Sequence, residues 1–140
     1  MSLLLDTNVV SEWSKAEPSR AVQDWFEGVD ESSVFLCIVT LAGIRYGIEL
    51  MPEGRKRRDL WQWLHRDVTD RFDGRLIPIE SRVAEKWATL MAQEKMAGRA
   101  LKALDGFIAA TALVHGLALV TRNVRDFQGL GLNLINPWAS

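Results

Sequence analysis

Acidic and amide side chains follow apolar runs at separate points of this sequence: Asp6 after Leu3-Leu4-Leu5, Asp105 before Gly106-Phe107-Ile108-Ala109-Ala110, and Arg122 to Asp126 after Leu117-Ala118-Leu119-Val120-Thr121. Carboxylates gathered without histidine or cysteine are hard oxygen ligands, suited to Mg²⁺ or Mn²⁺ rather than to zinc or copper. An ion held this way can make a nucleophile of water and neutralise a phosphodiester, so hydrolysis of a nucleic-acid strand is the chemistry they suggest. These residues act together only if the fold brings them to one place.

The elements around them predict that it does. Leu3-Leu4-Leu5 reads as a strand buried on both faces, as in a parallel sheet, which puts Asp6 at the carboxyl edge where open α/β sheets bind ligands. Thr7 and Asn8 add a hydroxyl and an amide able to orient a carboxylate. A plainer reading is that Asp6 or Asn8 merely caps a helix beginning near Val9. Ala21, Val22, Trp25, Phe26 and Val29 space an amphipathic helix over 19–29. Val34 to Val39 predicts a second buried strand, with Thr40 capping a helix whose apolar side is Leu41, Ile44, Ile48 and Met51. A third helix is expected over 55–72, where Leu60, Leu64, Val68 and Phe72 recur every four residues. Leu76 to Ile79 reads as a short edge strand, and 81–96 as a helix. The apolar stretch 104–113 predicts an interior helix with Asp105 in its first turn. Leu117 to Thr121 is a further buried strand before the polar loop 122–126, and Leu132-Asn133-Leu134-Ile135 precedes the tail. This alternation predicts a single α/β domain over 1–140, a central, mainly parallel sheet flanked by helices. In it Asp6, Asp105 and the 121–126 loop converge at the sheet's carboxyl edge.

Composition narrows the classes. The chain has 140 residues, 48% hydrophobic and 25% charged, with a net charge of −1. These values fit one globular domain with a real core. Neither a membrane-spanning run nor a secretory signal is legible, so the expected location is the cytoplasm. Cys37 lies inside an apolar run and reads as a buried small hydrophobe, and His65 and His115 have no metal-ligand spacing. The run Arg55-Lys56-Arg57-Arg58, with Trp61 and Trp63 after it, reads either as a phosphate-binding patch or as a solvated helix start. Glycine-rich phosphate loops, a nucleophile elbow and a serine or cysteine triad are all missing.

Several segments together carry a family resemblance: Leu4-Leu5-Asp6-Thr7-Asn8, Thr40-Leu41-Ala42-Gly43-Ile44-Arg45-Tyr46-Gly47-Ile48, Gly74-Arg75-Leu76-Ile77-Pro78-Ile79, Leu104-Asp105-Gly106-Phe107-Ile108-Ala109-Ala110-Thr111-Ala112, Leu119-Val120-Thr121-Arg122-Asn123-Val124-Arg125-Asp126-Phe127 and Asn136-Pro137-Trp138. In this order and spacing, across essentially the whole chain, they resemble PIN-domain proteins, most of all the FitB-like branch of the VapC toxins. The resemblance implies an endoribonuclease toxin using Mg²⁺ or Mn²⁺, a homodimer held inactive by a cognate VapB-type antitoxin. RNA would be its direct nucleic-acid ligand, and DNA would be met only through the antitoxin.

The family's site is an acidic quartet. Asp6 matches the first acid and Asp105 the third, which makes them the expected metal ligands. Asn123 stands at the fourth, where aspartate is frequent, and Asp126 is a candidate fourth carboxylate, directly or through water. Asn8 and Thr121 are expected supporting residues; Arg45 and Arg122 are candidates for holding the RNA backbone or for pairing with acids or the antitoxin. At the second position the family has a glutamate and this chain has Gly43. Glycine removes a charge and two oxygens and weakens the helix by about 0.5 to 1 kcal/mol relative to alanine. Glu49 lies about 240° round the helix from it, a poor substitute. Gly43 therefore reads as a lost or relocated ligand, or as an inactivating change, and we expect impaired catalysis. The competing function is a catalytically inactive PIN-fold module that dimerises and binds antitoxin or RNA.

Overall fold

A computed structural model describes residues 1–139. Its centre is a five-stranded sheet in the order β3-β2-β1-β4-β5, parallel throughout. The strands are short: β1 Leu3–Leu5, β2 Val34–Cys37, β3 Leu76–Ile77, β4 Ala118–Val120 and β5 Leu134–Ile135. β1 is central, with Leu5 opposite Leu36 on one side and Val120 on the other. Such a strand is covered on both faces, which is why it is a run of leucines with no polar alternation. β3 is an edge strand, as its length and proline predict.

Helices cover both faces. α1 (Thr7–Glu12), α2 (Arg20–Glu27), α3 (Ile38–Glu49) and α4 (Arg55–Gln62) come first; α4 runs on through a π-helical segment, Trp63–Val68, into α5 (Thr69–Arg71), and α6 (Ser81–Met96) and α7 (Ala103–His115) follow. Leu5, Val9, Ile44, Ile48 and Leu64 centre the core on one face; Leu4, Ile108, Ala109, Leu119 and Phe127 centre it on the other. α6 and α7 pack closely because residue 106 is glycine: a Cβ there would sit 2.5 Å from Met91 Sδ. Beside that contact Trp87 stacks on Phe107, with centroids 4.6 Å apart.

Two expectations need correction. The second strand ends at Cys37, not Val39, and Thr40 lies inside α3 with Cys37 at its cap position. Cys37 pairs with Ile77, the last residue of β3, so beyond it the backbone has no ladder partner there and closes its own hydrogen bonds as a helix. The helix expected over 55–72 is not uniform. In its π turn the Thr69 hydroxyl donates to the Leu64 carbonyl at 3.0 Å, and Leu64, Val68 and Phe72 all stay buried. None of the described helices is long and apolar enough to cross a membrane.

Candidate active site

Asp6 follows directly on β1 and is 4% exposed. It does both things its position allows. Oδ1 accepts from the Thr7 amide at 2.7 Å and caps α1, while Oδ2 accepts from the Thr121 hydroxyl at 2.7 Å, across from the end of β4. Asn8 donates to Asp6 Oδ2 at 3.4 Å and accepts the Arg122 amide at 3.2 Å; the Asn123 amide donates to the Thr121 hydroxyl at 3.0 Å. Thr121 is fully buried, so its hydroxyl has one fixed neighbourhood and fixes Asp6 in turn. Asn8 and Thr121 are thus both hydrogen-bonded to Asp6.

Asp105 sits in the first turn of α7, half-buried. Burial raises its carboxyl above the usual aspartate range, the charges of Asp6 and Asp126 raise it further, and Lys102 opposes the shift. Burial likewise raises Asp6, against the hydrogen bonds of Thr121 and Thr7, with the Asp126 charge adding to the rise. The charge of Asp126 thus reaches both Asp6 and Asp105, and that of Asp6 reaches Asp105, as convergence at the carboxyl edge requires. Asp126 and Asn123 are both exposed, in and before the 3₁₀ turn Val124–Phe127.

Gly43, on α3, lies near the sequence neighbours of two of these acids. It lines a groove of about 310 Å³ with Thr7, the neighbour of Asp6, and a Cβ on it would stand 3.8 Å from Leu104, the neighbour of Asp105. That is ordinary contact distance and the backbone there is helical, so nothing in packing or conformation demands a glycine.

The two arginines diverge. Arg45 donates to Glu49 Oε1 at 2.8 Å and lies 3.1 Å from His65 Nε2, at about 200° round α3 from Gly43. The geometry gives it to the α3–α4 hairpin. Arg122 opens the loop after Thr121: its backbone amide is bound to Asn8, and its guanidinium stands 5.1 Å from the Trp138 ring centroid. Sequence reasoning missed Glu12, a buried acid at the end of α1. Hydrogen bonds from Lys15 and Ser19 hold its carboxyl below the usual range, and the Arg122 charge acts in the same direction. Glu12 lies one helical turn beyond Asn8, the spacing that could have drawn notice to it.

Asp6 and Asp105 are the donors on offer to a cation. Among the described residues no group of three or more His, Cys, Asp or Glu side chains forms a ready cage, and neither acid makes an ion pair within the chain. A hard dication such as Mg²⁺ binds through one or two carboxylates and keeps several waters, and this oxygen-only donor set fits that habit.

Comparison with known proteins agrees with this geometry. The PIN domain family profile matches residues 3–131. VapC ribonuclease Y4jK of Sinorhizobium fredii is 40% identical over 136 residues, 97% of either chain. Toxin FitB of Neisseria gonorrhoeae is 35% identical, over 97% of this chain and 98% of its own. Among solved structures, FitAcB from Neisseria gonorrhoeae superposes with a TM-score of 0.89 at 34% identity, covering 99% of both chains. FitAB bound to an IR36 DNA fragment gives 0.89 at 33% identity, covering 99% of this chain and 96% of that one. By sequence and by fold, this chain belongs to the PIN domain family, among its VapC and FitB-like toxins.

Proposed function

We propose that this chain is the endoribonuclease toxin of a toxin–antitoxin pair, that it hydrolyses RNA phosphodiesters with Mg²⁺ or Mn²⁺ held by Asp6 and Asp105, and that Gly43 lowers its rate. The observation that carries the reading is the pair of acids at the sheet's carboxyl edge, both raised by burial and neither neutralised by an ion pair within the described chain. Such a site is costly until a cation enters. When bound, the ion activates water and offsets charge on the phosphodiester.

The chain's own residues supply the rest. The Thr121 hydroxyl and the Thr7 amide each hold one Asp6 oxygen, which fixes the carboxylate in place. Asp105 and Asp126 complete the negative field, with Asn123 as a neutral oxygen donor on the same loop. Arg122 holds the RNA backbone, the reading that its place beside Asn8 supports better than that of Arg45. The relatives' names and the FitAB complexes support an antitoxin partner that brings this chain to DNA. A homodimer working in the cytoplasm is part of the same reading.

Gly43 favours one other reading, a PIN fold that dimerises and binds antitoxin or RNA without cutting. One experiment separates the two: cleavage of total cellular RNA by this chain and by Gly43→Glu under Mg²⁺ and Mn²⁺ titration, with Asp6→Asn as the blank. The enzyme reading expects Gly43→Glu to cut at least about tenfold faster, the effect of restoring a group at a metal site. No cleavage by either protein at any metal concentration would select the binding module.

A further inference from the structure

The loop that closes the acid site also reaches the end of the described chain. The Thr121 amide donates to the Ile135 carbonyl at 2.9 Å, so the start of the loop is tied to β5 just before the tail. In that tail the Trp138 amide donates to Asn136 Oδ1 at 3.0 Å, which folds the chain back, and the indole packs on the core beside β5. Its ring then lies 5.1 Å from the Arg122 guanidinium carbon. Glu12, the acid near Arg122, is already bound to Lys15 at 2.9 Å and the Ser19 amide at 2.7 Å. Arg122 makes no ion pair among the described residues, whereas Arg45 is taken by Glu49 at 2.8 Å.

We propose that Trp138 is a positioning residue: its ring holds the Arg122 guanidinium at the start of the loop that follows Thr121, on the Glu12 side of the acid site, where it meets a phosphodiester of the RNA. The inference rests on the ribonuclease reading above. An arginine is flexible and strongly solvated, and a fixed aromatic face removes part of the freedom it would lose on binding a phosphate. A guanidinium over a ring face still has its N–H groups to offer to a phosphate. The motif Asn136-Pro137-Trp138 thereby gains a role in substrate binding.

The test measures binding of a fluorescein-labelled mixed-sequence oligoribonucleotide by anisotropy in Mg²⁺, across a salt series, in an Asp6→Asn background that does not cut. Trp138→Leu keeps apolar packing and loses the π face; Trp138→Phe keeps both. We expect Trp138→Leu to raise Kd about two- to fivefold and Trp138→Phe to stay near the parent, the difference a cation–π contact makes. Arg122→Ala should weaken binding further and lower the salt slope by about 0.7, one single-strand phosphate contact. Added to Arg122→Ala, Trp138→Leu should change nothing. Unchanged affinity in a folded Trp138→Leu chain, or an equal loss with and without Arg122, would overturn the proposal. So would a Trp138→Leu chain that loses antitoxin and keeps RNA. An Asp6→Asn parent that binds no RNA at low salt would instead strike the ribonuclease reading itself.

Discussion

Carboxylates in two parts of this molecule stand in opposite electrostatic states. Away from the sheet edge, exposed Glu31 is held below the usual range by Arg71 at 2.8 Å and Arg75 at 3.3 Å, exposed Glu49 by Arg45 at 2.8 Å, and buried Glu94 by Arg99 at 2.7 Å. At the carboxyl edge of the sheet Asp6 and Asp105 are pushed up, by burial first. The first set has arginine partners; in the second, Asp6 accepts hydrogen bonds from Thr7, Thr121 and Asn8, but among the described residues neither Asp6 nor Asp105 has a cationic partner at ion-pair distance. On the proposed reading that contrast separates acids that hold the fold from acids that would hold a cation, and low exposure alone would not, since Glu12 is as little exposed as Asp6 and yet lowered.

The strongest way to break the comparison is to neutralise one member of the second set. Asp105→Asn should leave folding intact and reduce RNA cleavage about a hundredfold or more, the several kcal/mol that a metal site supplies to a phosphodiester transition state. Retained cleavage would place Asp105 with the structural acids.

A smaller effect sharpens the contrast through pH. Because the fold raises Asp6 and Asp105, the folded chain keeps protons that the unfolded chain has released. Their contribution to stability is therefore best in acid and declines as pH rises from the ordinary aspartate value of 3.8 through the raised folded values. For the lowered group, Glu31 among them, the sign reverses: stability is present above the ordinary value of 4.5 and is lost as pH falls through the folded one. Asp6→Asn keeps one acceptor, for the Thr7 amide, turns an NH2 donor toward the Thr121 hydroxyl and removes the charge. In chelator its melting temperature should exceed the parent's by a few degrees at neutral pH, about 2–4 °C for each kcal/mol relieved. The gap should shrink toward acid and close when Mg²⁺ is added. A gap that ignores both pH and Mg²⁺ would end the distinction.

Least in size is the structural side. Glu31→Ala removes an exposed ion-pair cluster and should cost about 1 kcal/mol or less, since such pairs are screened by solvent. The midpoint of Mg²⁺ dependence should not move, because Glu31 has no part in the edge field.

Much of this was legible in the residues. Strand β1, its parallel pairing and the place of Asp6 follow from an apolar run too short for a helix and too continuous for a half-exposed strand. The burial of Cys37 and the interior character of α7 follow from composition in the same way. The end of β2 was not legible: Ile38 and Val39 suit a strand, and only the length of the neighbouring β3 decides where the ladder stops. The π turn was equally hidden, because Leu64 and Val68 keep the spacing of an ordinary helix.

The sequence by itself determined the layered parallel fold, the two acids and the absence of a side chain at position 43, since these depend on residue type and local order along the chain. Only the tertiary structure decided which polar groups share a neighbourhood. It joined Asp6 to Thr121 across 115 positions, set Arg122 on Trp138 and gave Arg45 to Glu49. Hydrogen bonds and charge fields fall off within a few ångströms, and a chain that turns back through parallel crossovers places distant residues at that range by packing, which no local pattern records.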